Sequence, residues 1–413
     1  MAESKPTSRA VGRQYEKWVY PLPIADLSAP EVRRRRDGGD PETNCFTFWP
    51  DRPYDDDLDI LIAGCGSNAA ARYAFNHPRS RVVGIDLSWS SLAHEAHLKD
   101  KHDLDNLTLR QGRLEEVASI LPGVDFDFID VSGVLHHLPD PVGGLRALGN
   151  VLRPDGTMAI MVYGKYGRTG VYMLQEMFRL VGLGQSEDDV ATVKRTLGAL
   201  PKSHVIQGYF GRAQDIKYDA GIVDTFLHRQ DRAYTVAECL ELTRSAGLKF
   251  MGWWDNILYY PEGQLTGFRD LYERVNALPE ESIWEFMELY NGTLGQHNFC
   301  VCRPERPDRS YTIDFGSSAF MDYVPVLRGQ EVPSKPGAPE GCVSVQHDRF
   351  PAYTLDPATS TLFRQIDGAR TIRGCFERTG LAQRNGRTSE ATCRDAFRYL
   401  WRLGQIFLRL PPR

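Results

Sequence analysis

Apolar and polar positions alternate in blocks along the chain, and the first blocks predict a strand, a turn, a helix and a second strand. The apolar run Ile60–Ala63 stops at Gly64-Cys65-Gly66, a stretch of small residues with helical spacing follows, and a second apolar run, residues 82–85, ends at Asp86. These blocks predict a right-handed βαβ unit.

The same alternation continues downstream. A helix is predicted from Ser88, a plausible N-cap, toward Lys101. Apolar runs then predict strands at residues 107–111, 126–132, 157–163, 249–258 and 297–302. Strands that alternate with helices indicate a doubly wound α/β sheet, whose ligands bind at the carboxyl ends of the strands.

Three regions depart from this pattern. Aromatic residues at 15, 18 and 20 precede a proline-rich segment, so residues 1–45 are predicted to form a strap over the main core or a lid over a ligand. Residues 164–233 are predicted to be a helical insertion, with one helix around residues 172–180 and a charged helix from Ser186, and a long helix is expected at about 265–290.

The composition changes near residue 303, where proline, glycine and serine become frequent. We therefore predict a domain at 46–303, a linker at 304–349 and a small α+β domain at 350–413 made of three helices and a closing strand. Packing, homodimerisation and peptide recognition are all open roles for that last domain.

The composition is that of an ordinary globular protein. Apolar residues make up 42% and charged residues 25% of the 413-residue chain, and the net charge of −5 argues against a nucleic-acid partner. The first residues have no apolar signal segment and no run approaches the length of a membrane span, so we expect a cytoplasmic protein without a membrane partner. The eight cysteines lack the spacing typical of zinc sites, and no metal is predicted.

The first βαβ unit has the features of a nucleoside-binding half-site. Gly64 and Gly66 let the backbone approach a ligand closely, and Asp86, 20 residues after Gly66, follows the second strand where a carboxylate accepts hydrogen bonds from ribose hydroxyls. Two chemistries use such a site. Gly64-x-Gly66-x-x-Ala69 satisfies the dinucleotide fingerprint, whereas S-adenosylmethionine needs only the two-glycine turn and the carboxylate.

Four segments taken in order favour the second chemistry. I-L-I-A-G-C-G, G-I-D-L-S-x-x-S-L, V-L-H-H-L-P-D-P and V-L-R-P-D-G-T-M-A-I-M-V-Y-G together resemble the class I S-adenosylmethionine-dependent methyltransferases, over roughly residues 13–303. The resemblance implies a seven-stranded Rossmann-like sheet with helical lid insertions, and S-adenosyl-L-methionine as the cofactor. Residues 350–413 loosely resemble winged-helix domains that bind leader peptides.

The resemblance also implies a set of cofactor-binding residues. Family members often carry an acidic residue where Ile62 stands and a glycine where Asn68 stands, so we take Asp130 as the candidate partner of the methionine ammonium, on the same strand face as Ser132. Arg113 stands where family members often have Asp. The predicted cofactor-binding residues are Gly64, Cys65, Gly66, Asp86, Leu87, Gly112, Arg113, Asp130 and Ser132.

Methyl transfer needs little acid or base help, yet His136 and His137 follow the fourth strand, where donor and acceptor should meet. Imidazole titrates in the right range for a general base, so we name the pair as candidate catalytic residues. The alternative is that they cap the next helix and pack under the cofactor. The resemblance also implies that segments after the fifth strand and around the sixth form the acceptor pocket, and the predicted substrate-binding residues are Tyr20, Tyr163, Tyr166, His204, Trp254 and Asn256.

Three function classes follow from the sequence. The favoured one is a methyltransferase acting on a small molecule or a peptide. A nicotinamide-dependent oxidoreductase is allowed by Ala69 but opposed by the segment H-H-L-P-D-P and by the single nucleoside half-site. A non-catalytic, S-adenosylmethionine-binding regulatory protein stays open because the acidic residue is missing at Ile62.

Overall fold

A computed structural model describes residues 8–33, 39–211, 213–265, 267–333, 339–346, 350–381 and 389–411. The predicted strap, linker and C-terminal domain each extend in part over residues that lie outside these ranges.

Seven strands within the described residues form one sheet: β1 Asp59–Ala63, β2 Arg81–Asp86, β3 Leu107–Gln111, β4 Phe126–Ser132, β5 Leu152–Tyr163, β6 Lys249–Trp253 and β7 Gln296–Cys302. Their order in the sheet is β3-β2-β1-β4-β5-β7-β6. Strands β1 to β5 run parallel, and β7 pairs antiparallel with β5. This is the doubly wound, seven-stranded sheet that the sequence predicted.

Helices separate the strands of the sheet and fill the insertion. Those in the first 302 residues are α1 Ser8–Lys17, α2 Pro30–Arg33, α3 Cys45–Phe48, α4 Ala69–Asn76, α5 Trp89–Lys101, α6 Val117–Ile120, α7 Pro141–Asn150, α8 Thr169–Leu180, α9 Glu187–Ala199, α10 Gln207–Phe210, α11 Asp219–Phe226, α12 Val236–Ser245, α13 Arg269–Asn276 and α14 Glu280–Asn291.

Small residues hold the first βαβ unit tightly together. A Cβ added at Gly84 on β2 would lie 2.7 Å from the Cβ of Ala70 on α4. Ser88 caps α5 as predicted, because its side chain accepts a hydrogen bond from the backbone N–H of Ser91. The close approach of α4 to the sheet fixes where the glycine turn before it can lie.

Three predicted boundaries were wrong. The strand expected at 249–258 ends at Trp253, and a short 3₁₀ helix, Asn256–Leu258, follows it. The long helix expected at 265–290 is two helices, α13 and α14, because Pro279 lacks an N–H group and disfavours helical geometry at the residue before it. Strand β5 begins at Leu152, before the Pro154-Asp155-Gly156 segment, and its pairing with β4 shifts register between Phe126 and Phe128. An irregularity of this kind lets a strand include a proline.

The insertion after β5 has an apolar core of its own. Helices α8, α9 and α11 contribute buried side chains, and Trp18 from the N-terminal strap packs against them. Ser186 forms a capping box with Asp189 at the start of the charged helix, α9. The buried members of this core are Val171, Leu174, Phe178, Val190, Val193, Ile206, Ile222, Val223, Phe226 and Leu227.

The chain divides into two compact units. One contains residues up to Thr43 together with 55–252 and 291–306, and the other contains 44–54, 253–290 and the residues from Pro307 onward. The domain boundaries given from the sequence stay predictions.

Among the described residues after 303, the second unit contains short strands and three α-helices. Strands β8 Val324–Leu327 and β12 Ile406–Arg409 pair antiparallel, and β9 Gln330–Val332, β10 Ser344–Gln346 and β11 Tyr353–Thr354 form a second small sheet. Strands β8, β9 and β10 thus lie in the stretch predicted as linker. Helices α15 Pro357–Phe363, α16 Ile372–Glu377 and α17 Ser389–Arg402 precede β12 in the predicted order, while a winged-helix fold stays a prediction. Among the described residues, no helix is both long and apolar enough to span a membrane.

Candidate active site

A cavity of about 320 Å³ lies in the first unit, lined by residues that follow the carboxyl ends of β1, β2, β3, β4 and β5. This is where an α/β sheet places its ligand site. The predicted site residues that line it are Tyr20, Gly64, Cys65, Gly66, Asp86, Leu87, Gly112, Arg113, Ser132, His137 and Tyr163.

The glycine turn is shaped by close contacts that exclude larger residues. Gly64 and Gly66 have φ angles of 78° and 57°. A Cβ on Gly64 would lie 2.4 Å from Cγ2 of Val134, and one on Gly66 would lie 2.8 Å from Cδ of Pro21. Both positions therefore require glycine for backbone geometry and for space.

Asp86 is held rigidly at the end of β2. Its Oδ2 accepts a hydrogen bond from the N–H of Gly66 at 2.8 Å, and its Oδ1 accepts one from the N–H of Ser88 at 2.9 Å. A carboxylate offers about four acceptor positions, so acceptor capacity remains on both oxygens for a pair of hydroxyls. Burial raises the pKa of Asp86, against the lowering effect of these backbone donors.

The N-terminus of α4, which would bind a pyrophosphate in a dinucleotide site, is already occupied by a side chain. Glu95 on α5 is buried, and its two oxygens accept hydrogen bonds from the N–H groups of Ala70 and Ala71 at 2.9 and 2.8 Å. The N–H of Gly66 is bound to Asp86. A phosphate would have to displace carboxylates from these donors, so the turn fits a nucleoside that carries no phosphate.

Arg113 and Asp130 differ in their access to the cavity. Arg113 is exposed at the rim and pairs with Glu115 at 3.2 Å. Asp130 is buried and is not among the described residues that line the cavity, and its Oδ2 accepts a hydrogen bond from the hydroxyl of Tyr73 at 2.6 Å. Burial raises the pKa of Asp130, although hydrogen bonds from Ser132 and Tyr73 act in the opposite direction. The carboxylate proposed from the sequence for the methionine ammonium is thus engaged elsewhere.

Of the two predicted catalytic histidines, His137 lines the cavity. Its Nδ1 lies 2.9 Å from the carbonyl oxygen of Gln230. A carbonyl oxygen only accepts, so Nδ1 carries the proton and the lone pair of the neutral ring is on Nε2. The ring also stacks on His228 with a centroid distance of 3.9 Å. This arrangement fixes the tautomer that a general base requires.

His136 has a different environment. It is buried, does not line the cavity, and neither of its ring nitrogens has a hydrogen-bond partner among the described residues. Its ring stacks on Tyr163 at a centroid distance of 3.8 Å. Burial holds the pKa of His136 well below the usual range, with the nearby His137 acting in the same direction. The geometry gives His136 a packing role against Tyr163 rather than access to an acceptor.

Four predicted substrate-binding residues are not brought to the cavity. Tyr166 lies on an exposed turn, and Nδ1 of His204 accepts a hydrogen bond from the N–H of Ile206 at 3.2 Å. Trp254 and Asn256 belong to the second unit, where Trp254 packs edge-on against Phe48 and the Asn256 amide donates to the carbonyl oxygen of Trp401. Of the six predicted substrate-binding residues, Tyr20 and Tyr163 line the cavity.

Asp224 is a cavity residue that the sequence analysis missed. It lies on α11, is 2% exposed, and accepts a hydrogen bond from the Tyr15 hydroxyl at 2.9 Å. Nε2 of His228 lies 3.3 Å from the same hydroxyl, and Nδ1 of His228 accepts from the N–H of Gln230. The proton of neutral His228 is therefore on Nε2. His228 donates a hydrogen bond to the Tyr15 hydroxyl, which in turn donates one to Asp224. An acidic residue in the middle of the apolar stretch G-I-V-D-T-F was the available signal.

Side chains of the types that bind metal ions also lie close together near Asp224. Asp224, His137 and His228 form one group, and His136, His137 and Asp231 form another. The first is a poor metal site because the Nε2 of His228 carries a proton. In the second, the Arg168 guanidinium lies 3.6 Å from the Asp231 carboxylate and opposes a second cation. The absence of a metal stays a prediction.

The N-terminal strap is anchored over the cavity by polar contacts. The Glu16 carboxylate accepts hydrogen bonds from the N–H groups of Trp89 and Ser90 and from the Ser90 hydroxyl, at the start of α5. Desolvation acts to raise the pKa of Glu16, but these hydrogen bonds outweigh it, so the pKa is lowered. Further along the strap, the carbonyl oxygen of Pro21 accepts a hydrogen bond from Ser67 in the glycine turn. The strap thus supplies part of the cavity wall through Val11, Tyr15, Tyr20 and Pro21.

Replacement of Glu16 with Ala should loosen this strap without unfolding the sheet. Loss of a helix cap costs about 1 kcal/mol, which corresponds to roughly fivefold faster opening. Hydrogen–deuterium exchange of the amides in α1 should accelerate by that factor, while β1 and β4 exchange as before. Glu241→Ala, at an exposed position on α12, is the control. Equal exchange of α1 in both variants would show that Glu16 does not anchor the strap.

Comparisons with known proteins agree with this geometry. Residues 61–158 match the family model of a methyltransferase domain. An uncharacterized protein of Synechococcus is 28% identical over 260 residues, covering 61% of this chain and 62% of that protein. Trans-aconitate 2-methyltransferase of Deinococcus radiodurans is 32% identical over 123 residues, covering 30% of this chain and 43% of the enzyme. The chain thus spans less than two thirds of the length of either relative.

A solved structure extends the likeness to the fold. PKMT2 from Rickettsia typhi, in complex with AdoHcy, superimposes with a TM-score of 0.60 at 14% identity, covering 90% of this chain and 75% of that one. The resemblance to methyltransferases that was read from the sequence motifs is confirmed. The chain thus resembles methyltransferases over residues 61–158, and its fold is that of the class I S-adenosylmethionine-dependent methyltransferases.

Proposed function

We propose that the protein transfers the methyl group of S-adenosylmethionine to a small molecule or a peptide by in-line displacement. The observation that supports this most is that the glycine turn, Asp86 and His137 line one cavity, while Glu95 binds the helix amides that a pyrophosphate would need. The cavity volume of about 320 Å³ lies within the range of small-ligand pockets.

Each end of the cavity fits one part of the cofactor. Asp86 and Leu87 suit the adenosine, because Asp86 has acceptor capacity for two ribose hydroxyls and Leu87 offers an apolar surface beside it. Arg72 on α4 also lines the cavity and carries the charge that a methionine carboxylate requires. Arg72 has no counterpart in the residues predicted from the sequence.

The residues around the His137 end of the cavity position the methyl group and the acceptor. The bound cofactor supplies a methyl group on a positively charged sulfur. Tyr163, Met161 and Val134 line the cavity together with His137, and their apolar surfaces would exclude water. Positioning of two reactants in this way contributes about 7–11 kcal/mol to rate acceleration. Nε2 of His137 accepts a proton from the acceptor.

An acceptor panel tests the proposal. The protein is incubated with S-adenosylmethionine and separate pools of amines, phenols, carboxylic acids and short peptides, and release of S-adenosylhomocysteine is measured by mass spectrometry. One pool should give turnover well above the rate without acceptor. Tight S-adenosylhomocysteine binding without turnover in any pool would instead support a regulatory role.

A further inference from the structure

The buried carboxylate of Asp224 lies in the same cavity as His137 and has no charged partner in the described part of the chain. Its oxygens accept a hydrogen bond from the Tyr15 hydroxyl at 2.9 Å and a longer one from the Tyr163 hydroxyl at 3.4 Å. Neutral hydroxyls offset only part of the cost of burying a carboxylate. Burial accordingly raises the pKa of Asp224, and the nearby His137 and Arg168 only partly oppose this. The site would be stabilised by a cation.

The surroundings of Asp224 suit a cation on the cavity side. Tyr15 and Tyr20 both line the cavity, and aromatic ring faces attract ammonium groups. Arg168, whose charge acts on Asp224, is engaged by other groups: its guanidinium stacks on the Tyr163 ring at 3.5 Å and pairs with Asp231 at 3.6 Å. The anionic position in the cavity is therefore left for a ligand.

The charge that moves during methyl transfer discriminates between acceptors. The S–CH3 bond breaks with its electron pair left on sulfur, and the acceptor lone pair forms the new bond to carbon. With an amine acceptor, the positive charge passes from sulfur to nitrogen, so a neighbouring carboxylate stabilises the product side of the reaction. With a hydroxyl or carboxyl acceptor, the nucleophile becomes anionic, and the same carboxylate would repel it.

Resting on the proposed function, we infer that Asp224, Tyr15 and Tyr20 form the recognition site for a cationic amine, which is the methyl acceptor. The ammonium form docks against Asp224 and loses one proton to Nε2 of His137. The neutral amine then takes the methyl group.

Choline and 3,3-dimethylbutan-1-ol provide the test, because the second is the uncharged carbon counterpart of the first. Both are titrated by calorimetry into the full chain saturated with S-adenosylhomocysteine, so that the cofactor site is already filled. Choline should bind at least tenfold more tightly than the alcohol. Asp224→Asn should remove that preference and leave the affinity for S-adenosylhomocysteine within about threefold. Asp219→Asn, an exposed position on the same helix, should change neither.

The outcomes separate the two proposals. Equal binding of choline and the alcohol by the unmodified protein would overturn the amine site, whether or not the Asn variant folds. A loss of S-adenosylhomocysteine affinity in Asp224→Asn would overturn it too, since Asp224 would then hold the methionine ammonium. Choline preference in a protein that binds no S-adenosylhomocysteine would keep the cation site and reject the methyl donor.

Discussion

Replacing Asp86 with Ala should weaken S-adenosylhomocysteine binding by about 30-fold to 1000-fold, or roughly 2–4 kcal/mol, because hydrogen bonds to a charged group contribute about 1.5–3 kcal/mol each. The variant also leaves the N–H groups of Gly66 and Ser88 without their acceptor, which loosens the glycine turn. Calorimetric titration measures the change directly.

A matched pair of variants isolates the role of the carboxylate. Asp86→Asn keeps one carbonyl acceptor and should lose less affinity than Asp86→Ala. Asp125→Ala, at an exposed position before β4, should bind like the unmodified protein. If Asp86→Ala bound S-adenosylhomocysteine with unchanged affinity while remaining folded, Asp86 would not be the ribose partner.

Replacement of His137 with Ala should lower kcat by about 100-fold to 10,000-fold with the acceptor that the panel identifies, which is the range expected for loss of a general base. The KM for S-adenosylmethionine should stay within about threefold, because His137 lies at the acceptor end of the cavity. Initial rates and single-turnover experiments separate these two quantities.

Chemical rescue distinguishes a base from a packing residue. Added imidazole should restore part of the lost turnover in His137→Ala, since a small base can enter the space that the side chain leaves. In His136→Asn, the main effect should be a lower melting temperature, because this buried ring stacks on Tyr163 and does not line the cavity. Full turnover in His137→Ala would remove the general base from the account.

The nucleoside end of the site could be predicted from the sequence because it depends on local geometry. The turn that carries Gly64 and Gly66 follows one strand, and Asp86 ends the next strand in a unit of fewer than 30 residues. Within such a unit, the neighbouring strand and the right-handed crossover leave little freedom. The structure accordingly places all three residues on one cavity wall.

The end of the cavity near Asp224 could not be predicted in the same way because it is assembled from distant segments. Tyr15 and Asp224 meet across 209 residues, and no periodicity in the sequence brings the strap to α11. Trp254 looked suitable because it follows β6, yet it belongs to the other compact unit. The burial of Glu95 against α4 could not be predicted from the sequence either, since a single Glu on an amphipathic helix is normally exposed.

A crystal structure of the protein with S-adenosylhomocysteine tests the central claim most directly. We expect both ribose hydroxyls to lie within hydrogen-bonding distance of the Asp86 carboxylate and the sulfur to face His137 and Asp224. A nucleoside bound elsewhere, or one whose ribose has no contact with Asp86, would contradict it.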